Sequence, residues 1–244
     1  MNALGYSFYS EFRTNERIVN VVDIDRLLKA HLGLECIGVN PDGLLIRIPG
    51  PYPDTIPRFY VTRHKNGYMV YVRQDQPEQI RKQLSSLSPE EAFRDHEQIK
   101  EIFGKAAPCE EVWEGRSYIF PDTITPADYP NAIQLNANHK RLVSEFDTKL
   151  NLLPGPIYAI IVDNHIESAC VSSRENELAA EAWVQTSQTH RQRGYGSQVT
   201  AAWANNLQKR AKIPFYSHRL GNTDSEGVAR RLGLIWFIDD VGYI

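Results

Sequence analysis

One hexapeptide indicates how the C-terminal half of this 244-residue chain folds: Arg191-Gln192-Arg193-Gly194-Tyr195-Gly196. An apolar, β-rich run (178–186) precedes it, and apolar side chains at helical spacing follow it, namely Val199, Ala202, Trp203 and Leu207. The predicted order is strand, glycine loop, helix. The first-turn amides of such a helix have no intrahelical acceptor, and the helix dipole adds positive charge. We therefore expect this turn to bind an anion.

The composition of the loop limits which classes of ligand it can bind. Gly194 and Gly196 lack the β-carbons that would keep a bulky group away from the amides, while Arg191 and Arg193 add charge. A nucleotide-type pyrophosphate is the expected ligand. The loop is neither the three-glycine dinucleotide fingerprint nor a P-loop ending in Gly-Lys-Ser/Thr, so NAD and ATP are both disfavoured.

The same residues resemble a known family. Arg191-x-x-Gly194-x-Gly196 is similar to the hallmark of the GNAT superfamily of N-acetyltransferases, Gln/Arg-x-x-Gly-x-Gly/Ala. The flanking segments 181–186 and 213–217 look like the splayed fourth strand and the fifth strand of that family. The segment that begins at Asn222-x-x-Ser225 resembles its second coenzyme A segment. The resemblance covers residues 118–244.

The resemblance implies a mixed α/β fold of the GNAT type, with a mostly antiparallel sheet flanked by helices. The composition change near Cys109 predicts two domains: an N-terminal α+β extension (1–109) and a GNAT acetyltransferase domain (110–244). No catalytic motif is visible in the extension.

The activity that the resemblance implies is acetyl transfer from acetyl-CoA, the co-substrate, to an amine of a small molecule or peptide. The amine attacks directly in a ternary complex, and no metal is needed. The backbone amide of Thr186 would face the thioester carbonyl, and the amides of residues 192–197 would hold the pyrophosphate. The predicted cofactor-binding residues are Val184, Thr186, Arg191, Gln192, Arg193, Gly194, Tyr195, Gly196, Ser197, Asn222 and Ser225.

Direct attack requires a base for the ammonium and an acid for the departing thiolate. Glu181, on the predicted fourth strand, is the candidate catalytic base. Glu177 lies four residues earlier and would point to the same face of a regular strand. The sequence departs from the family at Ala229, where many members have a tyrosine that serves the coenzyme A sulfur, so the acid is unassigned.

Alternatives to this interpretation stay open. The chain could be a non-catalytic acyl-CoA-binding module, because Ala229 cannot act as an acid. The N-terminal region could be an adaptor for protein or nucleic acid, although its scattered basic residues more simply form a solvated strand face: Arg58, Arg63, Lys65 and Arg73. We expect His190 and His218 to be polar surface residues, and Cys170 to be a small buried hydrophobe.

The overall composition excludes several classes of protein. Hydrophobic residues make up 42% and charged residues 23% of the chain, as in soluble globular proteins. The net charge of -3 gives no global field toward nucleic acid or a membrane, so neither is an expected partner. Three widely spaced cysteines suit a reducing, cytoplasmic setting. A homodimer is possible.

Local patterns predict the remaining elements. Helices are expected at 21–32, after Pro77, from Ser88 to Phe103, from Ile133 to Phe146 and from Asn222 to Leu232. Two hairpins are expected: one joins 58–62 and 68–72 through Asn66-Gly67, and the other joins 157–162 and 166–171.

Overall fold

A computed structural model describes residues 21–50, 56–104, 107–109 and 111–244. In chain order its elements are α1 (Val21–Leu34), β1 (Ile37–Val39), β2 (Leu45–Arg47), β3 (Phe59–His64), β4 (Gly67–Val72), α2 (Glu78–Ser86), α3 (Pro89–Arg94), α4 (His96–Phe103), β5 (Val112–Ile119) and β6 (Ile133–Gln134). They continue with α5 (Lys140–Phe146), β7 (Tyr158–Val162), β8 (His165–Glu175), β9 (Ala179–Thr186), α6 (Tyr195–Lys209), β10 (Ile213–Arg219), α7 (Thr223–Arg231) and β11 (Ile235–Tyr243).

Among the described residues, one compact unit comprises residues 21–117, His218–Gly221 and Trp236–Ile244. Its larger strand set runs in the order β4, β3, β11, β5, and β3 pairs antiparallel with both β4 and β11. The predicted hairpin at Asn66-Gly67 is confirmed. Helices α2 to α4 contribute to an apolar core with these strands, whose largest buried members are Phe59, Leu84, Ile99, Phe103, Val241 and Tyr243.

The helix predicted from Ser88 to Phe103 is two helices. Ser88 and Glu91 form the expected capping box at the start of α3. The Asp95 side chain then accepts a hydrogen bond from the Gln98 amide and caps α4. Asp offers the backbone a local partner that competes with helix continuation, which explains the break.

A buried carboxylate lies on β11 in this unit. Asp239 is 0% exposed and accepts hydrogen bonds from Arg116 Nε (2.6 Å), Arg63 Nη2 (2.5 Å) and Trp236 Nε1 (3.0 Å). Burial by itself would raise the pKa of Asp239, and the bonds from the two arginines outweigh it and hold that pKa below its ordinary value. The carboxylate is therefore ionised and paired with cations.

Three of the four basic residues behind the adaptor alternative have partners within the protein. Besides the bond of Arg63 to Asp239, Arg73 pairs with Asp75 at 2.7 Å. Arg58 Nη1 donates to the Ala107 carbonyl at 2.7 Å. These contacts favour a structural role for the three side chains over a free basic surface.

The second compact unit comprises Tyr118–Ser217 and Asn222–Ile235. Its strands run in the order β10, β9, β8, β7, β6; β9 and β10 are parallel, and the other pairs are antiparallel. The predicted hairpin of β7 and β8 is confirmed. The α5 face and the strands bury a core that includes Leu142, Val143, Leu150, Ile166 and Val171.

One helix prediction in this unit was too long. Ile133 lies in β6, opposite Ala159 of β7, and the helix is confined to Lys140–Phe146. Sheet pairing outweighs the weak helical spacing of residues 133–139, a stretch whose Asn136 side chain bonds the Asn138 amide.

The mixed α/β fold with a mostly antiparallel sheet and flanking helices is confirmed. The nine-residue strand β11 had no counterpart among the predicted elements. In the part of the chain that is described, none of the helices has the length and apolar character of a membrane span. The division at 109/110 stays a prediction.

Candidate functional site

The site begins where two parallel strands part. β9 and β10 pair only through Ala179–Glu181 and Ile213–Phe215, so among the described residues their ladder ends there. Beyond that point β9 continues to Thr186 and β10 continues past Tyr216. The two strands leave unpaired backbone between them, as expected of the predicted splayed strand.

The backbone of Thr186 is directed toward that gap. The Ser187 amide donates to the Glu167 carbonyl at 2.8 Å, so Glu167 and Ser187 form a hydrogen-bonded pair across β8 and β9. Hydrogen-bonded and non-hydrogen-bonded pairs alternate along an antiparallel ladder. The preceding pair, Ser168 and Thr186, is therefore the non-hydrogen-bonded kind, and the Thr186 N–H points away from β8.

Helix α6 starts beside the same gap with its amides unsatisfied by side chains. Its N-cap, Gly194, has φ +79° and makes no capping bond, and its first turn has no acidic residue. Gln192 has φ +62°, which is uncommon for a residue with a β-carbon. The loop thus presents the amides of residues 195–197 to whatever lies in front of the helix.

A cavity of about 830 Å³ occupies this place. All the predicted cofactor-binding residues line it except Arg193, whose side chain is exposed elsewhere on the loop. A second cavity of about 390 Å³ shares Gly194, Ser197 and Arg231 with it. The structure therefore brings the loop, β9 and the start of α7 together around one cavity; that these residues bind a cofactor stays a prediction.

Gly196 permits close packing of α6 on β9 and α7. A β-carbon at this position would lie 3.3 Å from Thr186 Oγ1, 3.5 Å from Val228 Cγ2 and 3.9 Å from Val184 Cγ2. Its small size thus brings the helix start against the strand, while the glycine at 194 supplies the left-handed backbone.

The opening of α7 forms the far wall. The Asn222 side chain accepts from the Ser225 amide at 3.1 Å, so it is a helix cap as well as a cavity residue. Arg191 pairs with Asp224 at 3.0 Å on the surface. Ala229 is buried, 2% exposed, and no hydroxyl is available at that position.

Several cavity residues were not predicted. Tyr216 enters from β10, and burial raises the pKa of its hydroxyl to about 12. That hydroxyl is consequently protonated at neutral pH. Arg230 and Arg231 enter from α7 and add positive charge. The alternation of β10 and the basic end of α7 were the available sequence signals.

Glu181 lies before the strands part. Its carboxylate contacts Arg174 Nη1 at 3.2 Å, its residue is 8% exposed, and it is not among the residues that line the described cavity. Glu177 falls in the turn before β9, outside the strand. The two glutamates therefore do not lie on one face of the same strand, as the sequence had predicted they would.

The burial expected from the sequence is wrong for the two histidines and confirmed for Cys170. The expectation that His190 and His218 are surface residues was wrong: the His190 side chain is 18% exposed and lines the cavity, and His218 is 7% exposed. Cys170 is fully buried, as expected, and burial raises the pKa of its thiol.

The residues present fit acetyl-CoA. An uncapped helix start suits the pyrophosphate, a cleft between parted strands suits an extended arm, and three arginines on the wall suit a polyanion: Arg191, Arg230 and Arg231. No cluster of three or more possible metal ligands occurs among the described residues.

Comparisons with known proteins bear on the same segment. Residues 161–239 match the family model described as FR47-like protein. None of the curated proteins matches the sequence.

The fold is similar to those of several solved structures. An acetyltransferase of the GNAT family from Colwellia psychrerythraea is 9% identical, with 93% of this chain and 97% of that chain covered and a TM-score of 0.47. A putative GNAT-family acetyltransferase from Novosphingobium aromaticivorans is 15% identical (56% and 67% covered, TM-score 0.43). A GCN5-related N-acetyltransferase-like protein from Streptococcus suis is 13% identical (77% and 84%, TM-score 0.43). The glycine loop at residues 191–196, which resembles that of the GNAT superfamily, lies within the matched segment 161–239, and this part of the chain is similar to the FR47-like family.

Proposed function

We propose that the protein is an N-acetyltransferase that moves the acetyl group of acetyl-CoA to an amine of a small molecule or peptide. The amine would attack directly within a ternary complex. One observation carries this proposal: the uncapped start of α6 opens on a cavity of about 830 Å³ where β9 and β10 part.

The chain's own groups have distinct roles in the proposed reaction. The amides of residues 195–197 would hold the pyrophosphate, since they lack acceptors within the helix. The Thr186 N–H, directed away from β8, would polarise the thioester carbonyl. Acetyl-CoA supplies an activated acyl group with a thiolate leaving group.

The base predicted from the sequence, Glu181, stays a prediction. Its carboxylate contacts Arg174, and Glu181 is not among the residues that line the described cavity. The acid also stays unassigned. Departure of a thiolate does not require a protein acid, because thiols are acidic enough to leave as anions.

A non-catalytic acyl-CoA-binding module is the second candidate. The observation in its favour is Ala229, buried at 2% exposure where many family members have a tyrosine. This alternative shares the binding site with the proposed enzyme and differs from it only in turnover.

A thermal-unfolding titration tests the proposed ligand. Acetyl-CoA at about 100 times its dissociation constant adds roughly 2.7 kcal/mol to the folded state. For a chain of this size the midpoint should rise by about 5–10 °C. NAD and ATP are the controls, and they should give no comparable shift.

A screen of amines then separates the two candidates. Aminoglycosides, polyamines, amino acids and peptides are offered with acetyl-CoA, and free thiol is measured. Acetylated product with any class supports the enzyme. A selective acetyl-CoA shift without product in the whole panel supports the binding module, and no shift with folded protein would refute both.

A further inference from the structure

A histidine and a glutamate from different elements meet at the cavity wall. Nδ1 of His190 lies 2.8 Å from a carboxylate oxygen of Glu167, which is on β8. The two side chains are only 18% and 15% exposed. A polar contact that is largely removed from water is stronger than one on the surface.

The segment between β9 and α6 holds this pair in place. The hydroxyl of Ser187 donates to the same Glu167 oxygen, and the Ser187 amide donates to the Glu167 carbonyl. The His190 amide donates to the Ser187 carbonyl at 3.0 Å. The imidazole also stacks on the Tyr195 ring, with centroids 6.0 Å apart and planes 14° apart. These contacts fix the segment between β9 and α6 to the sheet on one side and to α6 on the other.

The contacts fix the orientation of the ring. All the polar contacts of the imidazole with described residues involve Nδ1: Glu167, the Thr189 hydroxyl at 3.1 Å and the Ser187 hydroxyl at 3.3 Å. We assign the proton to Nδ1, because a bare lone pair there would face the carboxylate oxygen of Glu167 at 2.8 Å. Nε2 of the neutral ring then has its lone pair available on the opposite side of the ring.

We propose that His190 is the catalytic base of the acetyl transfer, with Glu167 as its positioning residue. This assignment rests on the proposed function. His190 lines the same cavity as Thr186, whose amide is directed toward the gap between the strands. A base that is oriented by a half-buried carboxylate and lines the same cavity as the polarising amide is suited to remove a proton from the amine.

The proton and electron balance of the step is simple. Nε2 accepts one proton from the substrate ammonium, which frees the nitrogen lone pair. That pair forms the N–C bond with the acetyl carbon, the C–S bond breaks, and its electron pair leaves with sulfur. The imidazolium returns its proton to the thiolate or to solvent, and Glu167 stabilises the imidazolium while it exists.

Other charges around the ring are few among the described residues. Tyr195 of α6 stacks on the ring. Arg191 follows His190 directly, and its guanidinium is paired with Asp224 of α7. Among these groups, Glu167 is the charged one that contacts the imidazole.

The first test is the variant His190→Asn. Its amide can still donate to Glu167 from the Nδ1 position, so the segment stays tethered while the base is lost. We expect acetyl-CoA affinity within about twofold of the wild type by calorimetry, and kcat lower by about 10²–10⁴-fold. The acidic limb that an imidazole base gives to the pH–rate profile should disappear.

The variant Glu167→Gln supplies a readout that a merely structural role would not move. It keeps a partner for Ser187 but removes the negative charge that favours the imidazolium. We expect a smaller loss of kcat and an acidic limb displaced to lower pH. Wild-type turnover and an unchanged profile in both variants would overturn the assignment and leave the proposed function standing. An inactive wild type across the amine panel would overturn both.

Nitrogen NMR of the imidazole gives an answer without turnover. In the free protein at a pH where the ring is neutral, His190 should be the Nδ1–H tautomer, and addition of acetyl-CoA should shift its Nε2 resonance. An Nε2–H tautomer, or a resonance that saturating acetyl-CoA leaves unmoved, would refute the role of His190 as base.

Discussion

The guanidinium of Arg231 lies against Gly194, in the space that a β-carbon on residue 194 would occupy. The loop before α6 and the end of α7 are thus packed together by one arginine, and this arginine lines both cavities of the unit. Changes at either residue should therefore act on ligand binding through a shared surface.

Gly194→Asp should lower acetyl-CoA affinity by at least about 100-fold, or roughly 2.7 kcal/mol. The side chain would occupy the Arg231 position, its charge would repel a pyrophosphate, and φ +79° is strained for a residue with a β-carbon. Calorimetric titration measures the effect. Gly221→Asp is the matched control, because Gly221 has φ +84° with open space around it and does not line the cavity. Retained affinity in Gly194→Asp would refute the loop assignment.

Arg231→Ala should weaken acetyl-CoA binding about tenfold, or roughly 1.4 kcal/mol, because a cation is removed from the cavity wall. The loss should shrink at high salt, since screening weakens charge attraction. Arg193→Ala, which changes a loop arginine outside the cavity lining, should bind nearly as the wild type does. Equal losses in the two variants would show that general loop charge, rather than the cavity wall, determines affinity.

Glu181→Gln distinguishes the base predicted from the sequence from the one inferred from geometry. Because its carboxylate contacts Arg174 and does not line the cavity, we expect lower stability and an unchanged pH–rate profile. Denaturant unfolding and initial rates between pH 6 and 9 measure the two effects. A rate loss that is largest below the amine pKa would instead establish Glu181 as the base.

Asp239→Asn should destabilise the protein by about 2 kcal/mol at pH 7, because two charge-assisted hydrogen bonds are lost inside the core. The folded pKa of Asp239 lies below its unfolded value, so its stabilisation is present above the unfolded pKa and lost as pH falls through the folded one. The difference between variant and wild type should thus shrink below about pH 4. Urea unfolding at both pH values measures it, with exposed Asp42→Asn as control. A difference that does not depend on pH would contradict the ionised pair.

Much of the site could be predicted from sequence because its signals are local. Gly194 and Gly196 permit a backbone that few other residues adopt, and Asn222 caps the helix that follows it. Strand, loop and helix are consecutive in the chain, so the residues that form the glycine loop are neighbours in sequence as well as in space.

The unpredicted residues have partners that are distant in the chain. Tyr216 reaches the cavity because the pairing of β10 with β9 involves only the first part of β9 and ends before Tyr216. The strand β11 contains Asp239 and Asp240 within an apolar run, and it is stabilised by β3, whose pairing residue Arg63 is far away in sequence. No local pattern encodes such a register.

The sequence by itself determined the glycine loop and the helix that follows it, since backbone freedom and helix-end amides depend on adjacent residues; the class of ligand is a prediction from the same residues. Only the tertiary structure decided which side chains accompany that loop. The register of β8 against β9 places Glu167 beside Ser187 and His190, while Glu181 faces Arg174 instead. A one-residue change of register would reverse the faces of a strand, so these contacts depend on the packing of the whole sheet.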